Sequence, residues 1–328
     1  MSLLPANRPD ELWWASERLR QRLIVDPEGV LRERGIHPPP AMPIQSIHEY
    51  VRVAHLLWIE GRLVPIEDFR IDPADEGLLL GKGLWESTRT VRGVPWLWAL
   101  HVDRMLQSAK LLGIDLAPER VPMAEQVAEY VRALTDDDVM IRLNATAGRP
   151  GSRGMVWMSA APLTKPPEAM RLRTMTNPVR KGEAYLLLKT FQYATRLKLH
   201  AAAVAEGYDS ALVLDEANAI QEAAHANIFL RLPEGWRTPA ADGGLLPGTV
   251  RQWLMEAAPV KIAAEAIPVE RLAEASEAFL SNSNAGLVPV TQIDGYAFRH
   301  GPETRSLQEW IAATAGSRNR YLFANRSH

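Results

Sequence analysis

Beyond residue 171, strand signals come too quickly for a fold built of long helices. Apolar, β-prone runs at 172–176, 210–214, 219–222, 227–230, 236–238, 261–267, 277–280 and 287–293 follow one another across short turns. Only 190–206, 248–258 and 306–315 have helical spacing there. Runs of short strands with few helices point to a barrel-like β core rather than a doubly wound sheet.

The preceding stretch has a different texture. Residues 56–59 and 62–64 read as a hairpin around Glu60-Gly61. A strand at 81–91 turns at Arg92-Gly93 into 94–97. Helices follow at 100–112 and 124–134, then strands at 139–146 and 155–160 around the loop 148–154. Residues 51–160 thus form a small α+β domain. The proline-rich segment 161–167 (APLTKPP) reads as a linker, and 168–328 as a larger β-rich domain. Residues 1–50 read as an N-terminal extension, a packing arm. A helix over 10–23 offers Trp13, Trp14, Leu19 and Leu23 as contacts, and Pro38-Pro39-Pro40 ends regular structure.

Composition removes several function classes. With no cysteine among 328 residues, disulfides, thiolate metal sites and a cysteine nucleophile are excluded. The eight histidines lack metal-ligand spacing, so no metal is expected. A net charge of −2 without a basic block gives no nucleic-acid or anionic-membrane surface. No apolar run is long enough to span a bilayer, and MSLLPANRPDELWW is not a secretion signal, so a cytoplasmic location is expected.

Four windows and one lysine carry the chemistry. The run Leu186-Leu187-Leu188 ends in Lys189, and helical spacing starts at Thr190. Read as a buried strand, this run delivers a lysine that is either solvated or chemically used. Burial favours the free amine, the form that condenses with a carbonyl as a Schiff base. His101 and Arg104 share a helix face, and an arginine there suits a phosphate clamp or open solvent. Glu222 sits between two short apolar strands, either as a turn glutamate or as a buried carboxylate that needs a cationic partner. The segment 244–251 places Gly248, Thr249 and Val250 at a helix start, which is either a seat for an anion or a Leu-Pro-Gly helix opening with no ligand. Ser281 to Gly286 supplies small hydroxyl and amide groups at a strand mouth.

In this order, WIEGRLVP, GKGLWESTR, HVDRMLQSAKLLGI, IRLNATAG, the Lys189 stretch, IQEAAHANIF, LLPGTVR and SNSNAGLVPVTQIDG resemble one family over residues 57–295. It is the class IV, fold-type IV pyridoxal-phosphate aminotransferases, which include branched-chain aminotransferases, D-amino-acid transaminases, (R)-selective amine transaminases and aminodeoxychorismate lyases. The resemblance implies an α+β, fold-type IV enzyme with a small α+β domain and a larger pseudo-barrel domain, working as a homodimer. It implies pyridoxal 5'-phosphate as cofactor, and an amino donor and keto acceptor as partners. Lys189 would carry the cofactor, Glu222 would pair with its ring nitrogen, and Arg104 would hold its phosphate. Thr249 and Val250 would bind that phosphate through their backbone, with Ser283 or Asn284 closing it. Asn227 would support the site.

The departures bear on substrate. The seat often reads Gly-Ile-Thr-Arg in the family and is Gly248-Thr249-Val250-Arg251 here, so the hydroxyl has moved one position. Tyr193 follows the lysine one residue sooner than the tyrosine that branched-chain enzymes place near the cofactor's phenolic oxygen. Ala147 stands where D-amino-acid transaminases carry a carboxylate-binding arginine, and Arg149 and Arg153 are the candidate substitutes. Trp85, Trp96 and Trp98 are candidate pocket walls, with a core position as the alternative for Trp85. Transamination is the leading expectation, the aminodeoxychorismate lyase reaction the alternative, and a non-catalytic cofactor-binding protein a third.

Overall fold

The computed structural model describes Arg22, residues 26–33 and residues 53–316. The expected proline break at 38–40 and the helix over 10–23, Arg22 apart, lie outside the described residues. A short helix, α1 (Pro27–Glu33), is the described part of the extension. The chain divides into two compact units between Thr164 and Lys165.

The first unit holds β1 (Leu56–Ile59), β2 (Arg62–Pro65), α2 (Glu76–Leu79), β3 (Gly83–Val91), β4 (Val94–Pro95), α3 (Trp98–Leu112), α4 (Ala124–Leu134), β5 (Val139–Thr146) and β6 (Val156–Pro162). Its sheet runs β2-β1-β6-β5-β3-β4 with every neighbour antiparallel. The first hairpin turns at Glu60 and Gly61, whose φ values are 46° and 88°, matching the handedness that tight hairpin turns need. Asp138 fixes the β3–β4 turn: Oδ1 accepts from the Gly93 N–H at 2.9 Å and the Thr90 hydroxyl at 2.8 Å, and Oδ2 from the Arg92 N–H at 3.0 Å. Val127, Tyr130, Val131 and Leu134 recur at helical spacing on α4 and are buried with Ile141, Leu143 and Met158 of the sheet. The Tyr130 hydroxyl is satisfied by the Leu56 carbonyl at 2.8 Å.

Two expected pocket walls are buried in this unit. Trp98 opens α3 inside the core and donates its indole N–H to the Pro122 carbonyl at 2.8 Å. Trp96 is also buried, with the Arg89 guanidinium 4.6 Å from its ring centroid. An indole combines a large apolar area with one polar atom, so a core that satisfies that atom holds the ring.

The second unit holds β7 (Met170–Thr176), a 3-10 turn (Ala184–Leu187), α5 (Ala194–Ala205), β8 (Ser210–Leu214), β9 (Ile220–Ala223), β10 (Asn227–Leu232), β11 (Gly235–Pro239), α6 (Thr249–Ala257), β12 (Ile262–Glu265), β13 (Glu277–Asn282), β14 (Gly286–Ile293), β15 (Tyr296–Ala297) and α7 (Pro302–Thr314). The sheet order is β12-β11-β10-β13-β14-β7-β8-β9, with β15 beside β14. A bridge between Ala223 and Ala226 ties the terminal strand β9 back to the start of β10, so the sheet curls into a half-barrel. On the opposite face of the strands from the core leucines and isoleucines, Phe229 and Phe279 stack at 4.6 Å, with Trp236 at 4.8 Å from Phe279 and bonded to Glu303 of α7.

The parallel pairing of β7 with β8 decides where Lys189 lies. Parallel neighbours need a long crossover, and residues 177–209, including α5, supply it. Within that crossover no strand forms at Leu186–Leu188: Leu186 and Leu187 end the 3-10 turn, closed by Leu186 N–H to Glu183 O at 2.9 Å, and Leu188 follows it in extended backbone. Three leucines in a row encode burial, and periodicity does not separate an extended run from a coiled one. The helix expected from Thr190 starts at Ala194.

The packed ring cluster makes a measurable prediction. Phe279→Ala is expected to cost about 3–5 kcal/mol in the second unit, read by urea unfolding. Leu111→Ala, at a side chain that is 73% exposed, is expected to change the first unit's transition by less than about 0.5 kcal/mol.

Candidate active site

In the second unit, Glu222 is the centre of a polar cluster on the inner end of β9. It is 4% exposed, so its charge has to be met by protein groups. Oε1 accepts from the Arg196 guanidinium at 2.5 Å and from the Leu246 N–H at 3.1 Å. Oε2 has a 3.5 Å contact to the Asn227 amide. Arg196 was not singled out from the sequence. Its signal was available: it lies three residues after Tyr193 and therefore on the same face of α5. Burial works against its charge, but the charge of Glu222 and the hydrogen bond to it prevail and hold the guanidinium above its ordinary value.

Asn227 ties the cluster to the start of α6. Its amide donates to the Leu246 carbonyl at 2.9 Å, and a Cβ at Gly248 would fall 2.0 Å from its Oδ1. Only glycine fits so close to this side chain. Gly248 is the N-cap of α6 and has no side-chain hydrogen bond to the helix, so first-turn N–H groups at Thr249 and Val250 receive no cap from it. The Thr249 hydroxyl lies 3.1 Å from the Ser283 hydroxyl, which joins this helix start to the 281–286 loop. Asn282 Oδ1 accepts from the N–H groups of Asn284 and Ala285 at 3.0 and 2.8 Å and holds that loop in shape. Arg251 points the other way, donating to the Pro239 carbonyl at 2.8 Å.

Lys189 is half-buried just beyond the 3-10 turn. Its charge is felt at His225, a residue the sequence reading passed over inside IQEAAHANIF. His225 Nδ1 is 2.8 Å from the Tyr193 hydroxyl, which also donates to the Ala224 carbonyl at 3.2 Å. The two rings stack at 5.7 Å, and His200 meets His225 edge-on at 4.9 Å. Desolvation first, then the charges of His200, Arg196 and Lys189, push the His225 imidazole down to about 4. It is a neutral ring at pH 7.

The remaining candidates belong to the first unit. His101 and Arg104 share a helix face because both grip one buried carboxylate, Glu86. Arg104 Nε donates to Glu86 Oε1 at 2.8 Å and a terminal nitrogen to Oε2 at 2.6 Å, while His101 Nδ1 is 2.6 Å from Oε2. Desolvation would raise the Glu86 carboxyl. The Arg104 charge and the hydrogen bonds of His101 and Arg104 outweigh it and hold the group well below the usual carboxylate range. Trp85 is half-buried with the Arg142 guanidinium 4.0 Å from its ring centroid. Arg149 and Arg153 are exposed, with Asp72 at 3.5 Å and Asp115 at 3.1 Å as respective partners.

A half-barrel thus carries a buried carboxylate, a half-buried lysine on a crossover loop and a glycine-capped helix start. Residues 83–293 match the model of the family described as amino-transferase class IV, and the chain belongs to that family. It is 27% identical over 270 residues to the putative branched-chain-amino-acid aminotransferase of Methanocaldococcus jannaschii, covering 77% of this chain and 94% of that one. It is also 27% identical over 276 residues to the aminodeoxychorismate lyase of Bacillus subtilis, covering 77% and 92%. The crystal structure of the branched-chain aminotransferase from Thermoproteus uzoniensis with norvaline superposes with a TM-score of 0.74 at 26% identity, covering 82% of this chain and 97% of that one. The protein is therefore an enzyme with the fold-type IV architecture, from a family that works with pyridoxal 5'-phosphate.

The donor set fits that cofactor. Glu222 keeps Oε2 as its less engaged oxygen, suited to a ring N–H, and α6 offers first-turn N–H groups beside two hydroxyls, suited to a phosphate.

Both clusters can be tested directly. Glu86→Gln leaves Arg104 and His101 facing a neutral partner, and is expected to cost about 3–5 kcal/mol at pH 7 by chemical denaturation. A carboxyl held below its unfolded value contributes fully above about pH 4.5, and the contribution is lost as the pH falls through its lowered value. The stability gap between parent and variant should therefore narrow in acid. In a histidine NMR titration, His225 should remain neutral down past pH 5.

Proposed function

We propose that this chain is a pyridoxal-phosphate-dependent transaminase, moving an amino group between an amino acid or amine and a keto acid. The observation that carries it is Glu222: a buried carboxylate with one oxygen saturated by protein donors and the other suited to a ring N–H. Lys189 and the α6 start belong to the same unit of the chain.

When bound through its aldehyde carbon to Lys189, the cofactor supplies an electron sink for charge that develops where the substrate loses a proton. The protein's own groups do the rest. Once the substrate amine displaces it from the cofactor, Lys189 Nζ would be released to take the proton from the substrate α-carbon and deliver it to the former aldehyde carbon, which its half-buried place suits. Glu222 Oε2 holds the ring nitrogen. Backbone N–H groups of Thr249 and Val250, with Ser283 or Asn284, anchor the phosphate. Tyr193 would stand near the cofactor's phenolic oxygen, its hydroxyl set by His225 and the Ala224 carbonyl, and Asn227 fixes Gly248 so that the seat keeps its shape. The proposal includes a homodimer and a cytoplasmic location. No helix among the described residues is long and apolar enough to cross a membrane.

A second reading, the aminodeoxychorismate lyase reaction, is favoured by the equal identity to the Bacillus subtilis lyase. Purified protein should be yellow, and its visible band should change on adding an amino donor. Lys189→Ala should abolish that change and lower turnover by at least about 10³-fold, given that the lysine serves both as nucleophile and as proton carrier. A colourless protein that takes up no pyridoxal phosphate overturns both readings. Pyruvate release from aminodeoxychorismate without a keto acceptor selects the lyase.

A further inference from the structure

Glu222 does not face its surroundings as a bare charge. The Arg196 guanidinium takes Oε1 at 2.5 Å and is itself largely buried, with a side chain 19% exposed. Carboxylate and guanidinium form a neutral pair before any ligand arrives. The other cations near the pair do not replace Arg196. Arg251, on α6, feels Glu222 electrostatically but spends its hydrogen bonds on the Pro239 carbonyl and Thr238, and burial pulls it down. His225 is neutral, and Lys189 acts on His225. Tyr193 lies one turn from Arg196 on α5 and contributes a weak attraction to it. Asn227 and the Leu246 N–H are neutral donors.

We propose that Arg196 is a positioning residue for Glu222. It fixes Oε1 so that Oε2 is presented to the cofactor's ring nitrogen, and its charge lowers the affinity of that nitrogen for a proton. The proposal rests on the reading that Glu222 pairs with that nitrogen. A lone carboxylate would hold the ring protonated with its full charge, whereas an ion pair presents a dipole. The ring is thereby a weaker electron sink than one facing an unpaired glutamate. Negative charge at the reacting carbon is then less delocalised, which favours prompt return of the proton by Lys189.

The test uses holoenzyme reconstituted with pyridoxal phosphate labelled with ¹⁵N at the ring nitrogen. The nitrogen chemical shift is followed against pH in the parent, Arg196→Lys, Arg196→Gln, Arg196→Met and Glu222→Gln. In Arg196→Gln and Arg196→Met the nitrogen should keep its proton to a pH about one unit or more above the parent, the shift expected when one nearby charge is removed. Arg196→Lys keeps the charge and should track the parent. Glu222→Gln should move the midpoint the opposite way. A Gln variant that superposes on the parent while Glu222→Gln is displaced overturns the proposal. So does a Gln or Met variant that loses its proton earlier than the parent, since Arg196 would then only hold Glu222 in place. Near-ultraviolet circular dichroism identifies any variant that fails to fold, and the second neutral variant then decides. Failure of the parent to take up the labelled cofactor overturns the reading of the site instead.

Discussion

A carboxylate inside a protein has to be answered by charge and hydrogen bonds, and two of the buried carboxylates here show how. Glu222 is met by Arg196, the Leu246 N–H and Asn227, and Glu86 by Arg104 and His101. Each anion draws together segments distant in sequence. Glu222 on β9 pulls in the first turn of α5 and the loop before α6. Glu86 on β3 pulls α3 down onto the sheet. Unpaired buried ions are expensive, so each arrangement either forms whole or leaves an uncompensated charge. The elements that carry the candidate chemistry are fixed by this requirement as much as by apolar packing.

The seat for an anion follows the same logic at shorter range. Gly248 is not needed for an unusual backbone angle, since its φ of −67° suits any residue. It is needed because Asn227 lies where a Cβ would be. The amide of Asn227 in turn holds the Leu246 carbonyl, and the Leu246 N–H holds Glu222. A single chain of contacts thus runs from the carboxylate to the helix start. This is why a side chain with no chemistry of its own matters to the site.

Much of the fold was legible because its signals are local. Strands 139–146 and 210–214 and helix 124–134 fall where their patterns place them, since alternation, helical spacing and turn residues each act within a few positions. The crossover around Lys189 was misjudged for the same reason. Leu186 to Leu188 are apolar whether coiled or extended, and the choice came from bonds closed by Glu183 and Tyr185. Trp96 and Trp98, expected as pocket walls, are buried, and the Pro122 carbonyl that satisfies Trp98 is 24 positions away.

By itself the sequence determined the family, the β-rich second half, and the lysine, glutamate and glycine-opened helix on which the chemistry is proposed to rest. These are carried by residue type at fixed order, which the linear chain displays. Tertiary structure decided the partners: Arg196 for Glu222, Glu86 for Arg104 and His101, and His225 for Tyr193. Each pairing joins side chains 15 to 32 positions apart, or 26 for Arg196 and Glu222, and is set by how β9, α3 and α5 pack. The physical reason is that an isolated charge or hydroxyl advertises a need for a partner, whereas only the folded chain brings a particular one within 3 Å.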